Sequence, residues 1–207
     1  WWYLNDNKEM EGHYVDGRKN GIWTWWFDSG IKQSEGHYVD DEQDGLWSYF
    51  SKDGSVAEEI TFSGGKRDGR STVWLTPEEK QEEKFYKNGK LDGPSTFWEN
   101  GYRSTMTTYK SDSPEGPWVI WFSNSDQIKE QGFHQKGIRE GLTTYYYEDG
   151  TMQREGFFKE GLPDGMWTYW NKKGEKDFDF DFGSGLQHIS LEDLVEREST
   201  FYKLGED

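Results

Sequence analysis

The stretch Gly21-Ile22-Trp23-Thr24-Trp25-Trp26 returns as Gly45-Leu46-Trp47-Ser48-Tyr49-Phe50 and again as Gly165-Met166-Trp167-Thr168-Tyr169-Trp170. Its leading glycine recurs at positions 21, 45, 69, 93, 116, 141 and 165, at spacings of 24, 24, 24, 23, 25 and 24 residues, each time preceded by Asn, Asp or Glu. Five residues after each glycine stands Trp26, Phe50, Trp74, Trp98, Trp121, Tyr146 or Trp170, an aromatic ring in all seven copies. Self-similarity at that period identifies a stack of one supersecondary unit, in which each copy buries its apolar face against its neighbours.

Within a copy the unit is a β-hairpin. Thr and aromatic residues favour strands, and Asp-Gly or Asn-Gly between two such runs signals a tight turn. In the first full copy the runs are Ile22 to Phe27 and Lys32 to Tyr38, separated by Asp28-Ser29-Gly30; later copies have Asp53-Gly54, Asn100-Gly101, Asp149-Gly150 and Lys173-Gly174. The short and the long spacing fall near Asn100 and between Ser123 and Gln127, where a turn absorbs the change without flipping the faces of a strand. Loops such as Asn88-Gly89-Lys90-Leu91-Asp92-Gly93 join successive hairpins, and the recurring glycine is expected in that loop. The fold expected over residues 1–183 is all-β, an elongated, single-layer antiparallel meander of hairpin repeats. At ~4.8 Å per strand, its eight copies, counting the partial first one, extend ~75 Å. Beyond it, Ser190-Leu191-Glu192-Asp193-Leu194-Val195-Glu196-Arg197 predicts a short helix opening on an N-cap serine, within a segment 184–207 that caps the array.

Composition narrows the function. Only 31% of residues are apolar and 31% are charged, yet the chain holds 12 Trp, 12 Tyr and 13 Phe, so a few large rings supply the core that aliphatic residues supply elsewhere. A net charge of -16, from 40 acidic against 24 basic residues, disfavours binding to nucleic acid and favours a protein partner with a basic surface. Cysteine is absent, which excludes disulfides, thiol chemistry and zinc clusters. Trp2 falls in register with Trp26, so the chain is expected to begin inside a repeat. An upstream segment would then decide between a cytoplasmic and a bacterial envelope location.

The segment Gly12-His13-Tyr14-Val15-Asp16-Gly17-Arg18-Lys19-Asn20-Gly21 resembles the MORN repeat, which places an aromatic two, a glycine five and another glycine nine residues after a first glycine. Gly156, Phe158, Gly161 and Gly165 repeat the pattern in full; Gly36, Tyr38 and Gly45 repeat it with Asp41 in place of the middle glycine. The run Gly21 to Trp26 is similar to the bacterial variant of that repeat, found in YwqK-type antitoxin proteins. The resemblance covers roughly residues 1 to 183. It implies a twisted ribbon of hairpins used for protein contacts, or for lipid attachment in some relatives, and carries no catalytic residue onto this chain.

Two rows of residues are candidates for binding. The second position after each glycine holds Trp23, Trp47, Ser71, Ser95, Trp118, Thr143 and Trp167, a row of indoles interrupted by small hydroxyl residues. An acidic ladder, Glu11, Glu35, Glu59, Glu83, Glu155 and Asp179, is interrupted by Met106 and Gln131 and lies three residues before a row of rings, hence on the opposite face. Its members stand ~9.6 Å apart, too far for one calcium ion at its ligand distance, so no metal or other cofactor is expected, and the ladder serves as a solvated face or a docking strip for a basic partner. His13, His37, His134 and His188 have no second ligand at metal spacing. The function expected is therefore non-enzymatic: a protein–protein interaction or scaffold module with an aromatic and acidic surface, acting as an antitoxin-like inhibitor if the resemblance extends that far. The alternatives are a structural subunit of a bacterial envelope or secretion assembly, and a membrane-lipid-binding protein, which the negative charge disfavours.

Overall fold

The computed structural model of the chain describes residues 1–183, so the helix expected over Ser190 to Arg197 lies outside the described residues. Regular structure among them is all strand: β1 (Met10–Val15), β2 (Arg18–Trp26), β3 (Lys32–Val39), β4 (Glu42–Phe50), β5 (Val56–Ser63), β6 (Lys66–Trp74), β7 (Lys80–Lys87), β8 (Lys90–Glu99), β9 (Tyr102–Lys110), β10 (Ser113–Trp121), β11 (Ile128–Gln135), β12 (Ile138–Arg139), β13 (Gly141–Tyr146), β14 (Met152–Lys159), β15 (Leu162–Trp170) and β16 (Lys176–Asp181). Strands follow one another in one open antiparallel sheet in chain order, with the two-residue β12 paired to β11 off the main path. That is the meander of hairpins the glycine period predicts. Close approaches along the backbone divide the described residues into two compact units, one of Trp1–Gly116 with Ser123–Asp126, the other of Pro117–Phe122 with 127–183.

Two kinds of turn alternate along the chain. Between copies the loop has two residues, both at positive φ, as in Asp16-Gly17 (49° and 80°), Asn88-Gly89 (50° and 82°) and Glu160-Gly161 (54° and 82°). This is the primed hairpin geometry that matches the twist of paired strands. Asp40-Asp41 and Ser111-Asp112 adopt it without glycine. Within a copy the turn is longer and closes twice, for example through Phe27 N–H to Ile31 O at 2.8 Å and Gly30 N–H to Phe27 O at 2.9 Å. The short copy drops to a two-residue turn at Asn100-Gly101, and the long one is bridged by Phe122 N–H to Gln127 O at 3.0 Å. Both length changes therefore sit in turns.

The recurring glycine itself is not in a loop. At Gly21, Gly45 and Gly165 it lies inside a strand as a β-bulge, with φ of 74°, 75° and 63°, while Gly141 is the first residue of β13. Between β3 and β4 the pairing runs Glu35 with Ser48 and then His37 with Asp44, so Gly45, Leu46 and Trp47 face Gly36 alone. The extra residues and the left-handed φ are what demand glycine there. The spacing alone misplaced it because a bulge and a loop ask for the same residue.

The bulge is where the core forms. A Cβ added at Gly12, Gly36 or Gly156 would fall inside the indole of Trp23, Trp47 or Trp167, eleven residues on: each ring lies flat on bare backbone of the neighbouring strand. The indole N–H donates to the carbonyl beside that glycine, from Trp23 to His13 and Trp47 to His37 at 3.1 Å, and from Trp167 to Phe157 at 3.2 Å. A second ring meets each indole edge-on: Tyr14 on Trp23 at 4.9 Å, Tyr38 on Trp47 at 5.0 Å and Phe158 on Trp167 at 5.3 Å. Each such pair adds about 0.5–1.5 kcal/mol beyond the area it buries. A chain with few aliphatic residues thus builds a close-packed single-layer core from interlocked rings.

Copies three and four solve the same problem in reverse. Ile60 and Lys84 stand where the glycine would be, and Ser71 and Ser95 pair directly with them where an indole would be. The bulge moves by one residue, so that Asp68, Gly69 and Arg70 face Thr61. In copy six Trp118 already covers Gly132: its Cζ2 and the Thr143 hydroxyl each lie 2.7 Å from where a Gly132 Cβ would be, which leaves room for no second indole. The departures from Trp in this row are packing complements, large against small.

Candidate binding surface

The seven residues of the second-position row are all buried. Trp23, Trp47, Ser71, Ser95, Trp118, Thr143 and Trp167 are between 0 and 4% exposed. Inside each unit Trp23, Trp47 and Trp167 pack on glycines of adjacent strands, while Ser71 and Ser95 pair with the larger Ile60 and Lys84, and all seven side chains are turned into the core. Cations seal the same face: Lys19 Nζ lies 4.7 Å from the Trp23 ring, 4.9 Å from Tyr38 and 5.3 Å from Trp25, and the Arg154 guanidinium lies 4.0 Å from Tyr145.

One residue earlier the side chains point the other way. Ile22, Leu46, Leu142 and Met166 occupy the first position after the glycine and are 47 to 66% exposed. Because side chains alternate along a strand, they share a face with Thr24, Ser48, Thr144 and Thr168 and, across the strand pairs, with Glu35, Glu59, Glu155 and Asp179. Exposed apolar residues and the acidic ladder therefore lie on one face, opposite the indoles. The alternation was visible in the sequence, but nothing in it marked the first-position row rather than the second as the one left outside.

The ladder carboxylates differ in what they touch. Glu35 accepts from Lys32 Nζ at 2.8 Å and from the Thr24 hydroxyl at 2.9 Å; the lysine holds its carboxyl below the ordinary value, with partial burial opposing the shift. Asp179 is lowered by Lys176 at 2.6 Å and then by the Thr168 hydroxyl at 2.9 Å. Lys8 with Glu11 at 2.8 Å and Lys80 with Glu83 at 2.7 Å repeat the pairing with a lysine three residues earlier. Glu59 and Glu155 have Val56 and Met152 in the lysine's place.

In the second unit the ladder face is hollowed into a groove of about 570 Å³ on β10, β11 and β13. Pro117, Val119, Phe133 and Leu142 line it, with Gln131 and Thr144 at the end towards Glu155, which pairs with Thr144 across the strands. No stretch of sequence announced it, since its walls come from residues up to 27 positions apart.

His13, His37 and His134 take structural positions, and His188 lies outside the described residues. His13 and His37 offer backbone carbonyls to indoles, while His134 replaces the usual ring beside Trp118, 5.7 Å away. Burial and then the Arg139 charge push its pKa down. Among the described residues no group of three or more His, Asp or Glu could hold a metal ion. No helix among them is long and apolar enough to cross a membrane.

These features define a β-hairpin repeat protein with a face of buried indoles and, opposite it, a face that carries the acidic ladder and exposed apolar residues. A family model described as the MORN repeat variant matches residues 19–40, 43–63 and 139–160, two copies in the first unit and one in the second. The chain carries MORN repeats of the variant type. Such repeats are in general modules of protein or lipid interaction and in general non-catalytic. No curated protein matches the chain.

Proposed function

We propose that this chain is a non-enzymatic protein-interaction module that docks a basic partner on its ladder face. One observation carries the reading: the second-position row is spent on the core, while Ile22, Leu46, Leu142 and Met166 stay exposed beside the acidic ladder. Exposed apolar residues rimmed by charge mark interaction sites, and the net charge of -16 steers a basic partner and repels anionic lipid. Inhibition of a toxin and a place in an envelope assembly are both finer forms of this reading.

The test is affinity purification of the native protein with mass spectrometry, followed by binding of the recovered partner to Leu46→Asp and Leu142→Asp variants and to a Lys19→Ala variant of the indole face. The expected partner is basic, is lost with either Asp variant and is kept by Lys19→Ala. Recovery of no stable partner, or salt-sensitive sedimentation with anionic liposomes instead, would overturn the proposal.

A further inference from the structure

We infer that the groove on β10, β11 and β13 is the docking site for a partner segment that sets an aliphatic side chain beside a lysine or arginine, the cation pairing with Glu155. The inference rests on the reading of the ladder face as an interaction surface and assigns to it one site and one chemistry. Pro117, Val119, Phe133 and Leu142 give the groove walls that take an apolar side chain, and Glu140, the carboxylate of the lining itself, already accepts from the Glu160 N–H at 2.8 Å. A ladder carboxylate stands at its rim, because Glu155 is cross-strand neighbour to Thr144 of the lining.

Charge complementarity selects the occupant. Elsewhere on the ladder the chain supplies its own cation, from Lys8 to Glu11, Lys32 to Glu35, Lys80 to Glu83 and Lys176 to Asp179. At Glu155 the lysine's place belongs to Met152. The adjacent Arg154 is turned to the other face, 8% exposed over the Tyr145 ring. Glu59 shares the substitution, with Val56, but the described groove is not at its strands. Glu155 thus combines an apolar groove with a ladder carboxylate that has no lysine three residues before it. A wholly apolar ligand would leave the carboxylate desolvated at the rim, and an acidic one would be repelled.

The experiment uses fluorescein-labelled peptides of alternating Lys and Leu, Lys and Ser, and Glu and Leu, titrated with the intact chain by fluorescence anisotropy. The Lys-Leu peptide is expected to bind best, with affinity falling about fivefold in Glu155→Gln and about tenfold in Leu142→Ser. Glu78→Gln, which removes the same charge from the other unit, should change it less than twofold. Glu155→Lys should invert the preference towards Glu-Leu, a gain that no folding defect imitates. Equal binding of Lys-Ser and Lys-Leu overturns the inference, as does insensitivity to Glu155→Gln. So does a dimer in analytical ultracentrifugation that Leu142→Ser abolishes, which would make a second copy the occupant. Affinity that depends on Leu46 and not on Leu142 overturns this groove but leaves the interaction reading intact. Failure of every peptide to bind overturns both.

Discussion

At Gly36 the Trp47 indole lies on bare backbone, and the same holds at Gly12 beneath Trp23 and Gly156 beneath Trp167. One methyl group there has no free space to enter. Gly36→Ala should therefore destabilise the first unit by about 1–3 kcal/mol, the usual cost of overpacking, measured by urea denaturation with Trp fluorescence as the probe. A change below a few tenths of a kcal/mol would mean the ring moves aside freely. Lys19 is held against the same core by three rings, whereas Gln43 has its place in the next copy and reaches only to the Tyr49 hydroxyl at 3.4 Å. Lys19→Met, which keeps an unbranched stem and removes the charge, should cost about 0.5–1 kcal/mol. Gln43→Lys, which lets a cation approach Trp47, should stabilise by a similar amount in the same assay.

At the scale of the hairpin, what matters is complementarity between residues eleven apart. Ile60 against Ser71 and Lys84 against Ser95 invert the glycine and indole of copies one, two and seven. Ile60→Gly alone leaves a hole and Ser71→Trp alone a clash. The double variant restores the packing of copies one, two and seven and should recover at least about 1 kcal/mol of the summed losses in a double-mutant cycle. Strict additivity would show that the two positions are not coupled. The ladder adds a pH dependence to the same elements. Glu35 has its folded pKa lowered by Lys32, so its contribution is fully present above its unfolded value and is lost as pH falls through the folded one. Between about pH 5 and pH 3 the urea midpoint should fall, and fall less steeply in Glu35→Gln.

Over the whole molecule, 40 acidic against 24 basic residues make self-repulsion a general term. The ladder pairs are partly exposed and short in range, so screening weakens them only modestly while relieving the repulsion of many unpaired carboxylates. Raising NaCl from about 20 mM to about 500 mM should therefore raise the melting temperature by a few degrees. A fall would show that the ion pairs outweigh the repulsion. The same screening should weaken a basic partner, so stability and binding are expected to move in opposite directions with salt.

The sequence by itself determined the repeat, the hairpins, the turn positions and the opposition of ladder to rings. All of these depend on interactions within a few residues: primed turns favour Asp, Asn and Gly at their two central positions, and alternation along a strand assigns faces without reference to any other strand. Even the lysine three residues before Glu35 or Asp179 was legible as spacing. Tertiary structure alone decided which row is core. Trp23 and Ile22 are adjacent and both apolar, and only the bare backbone of Gly12 on the neighbouring strand makes the indole row the buried one. It also moved the recurring glycine from loop to bulge, through a register that no single strand carries. The groove beside Glu155 arises in the same way, from side chains of three strands whose packing exists only once the sheet is formed.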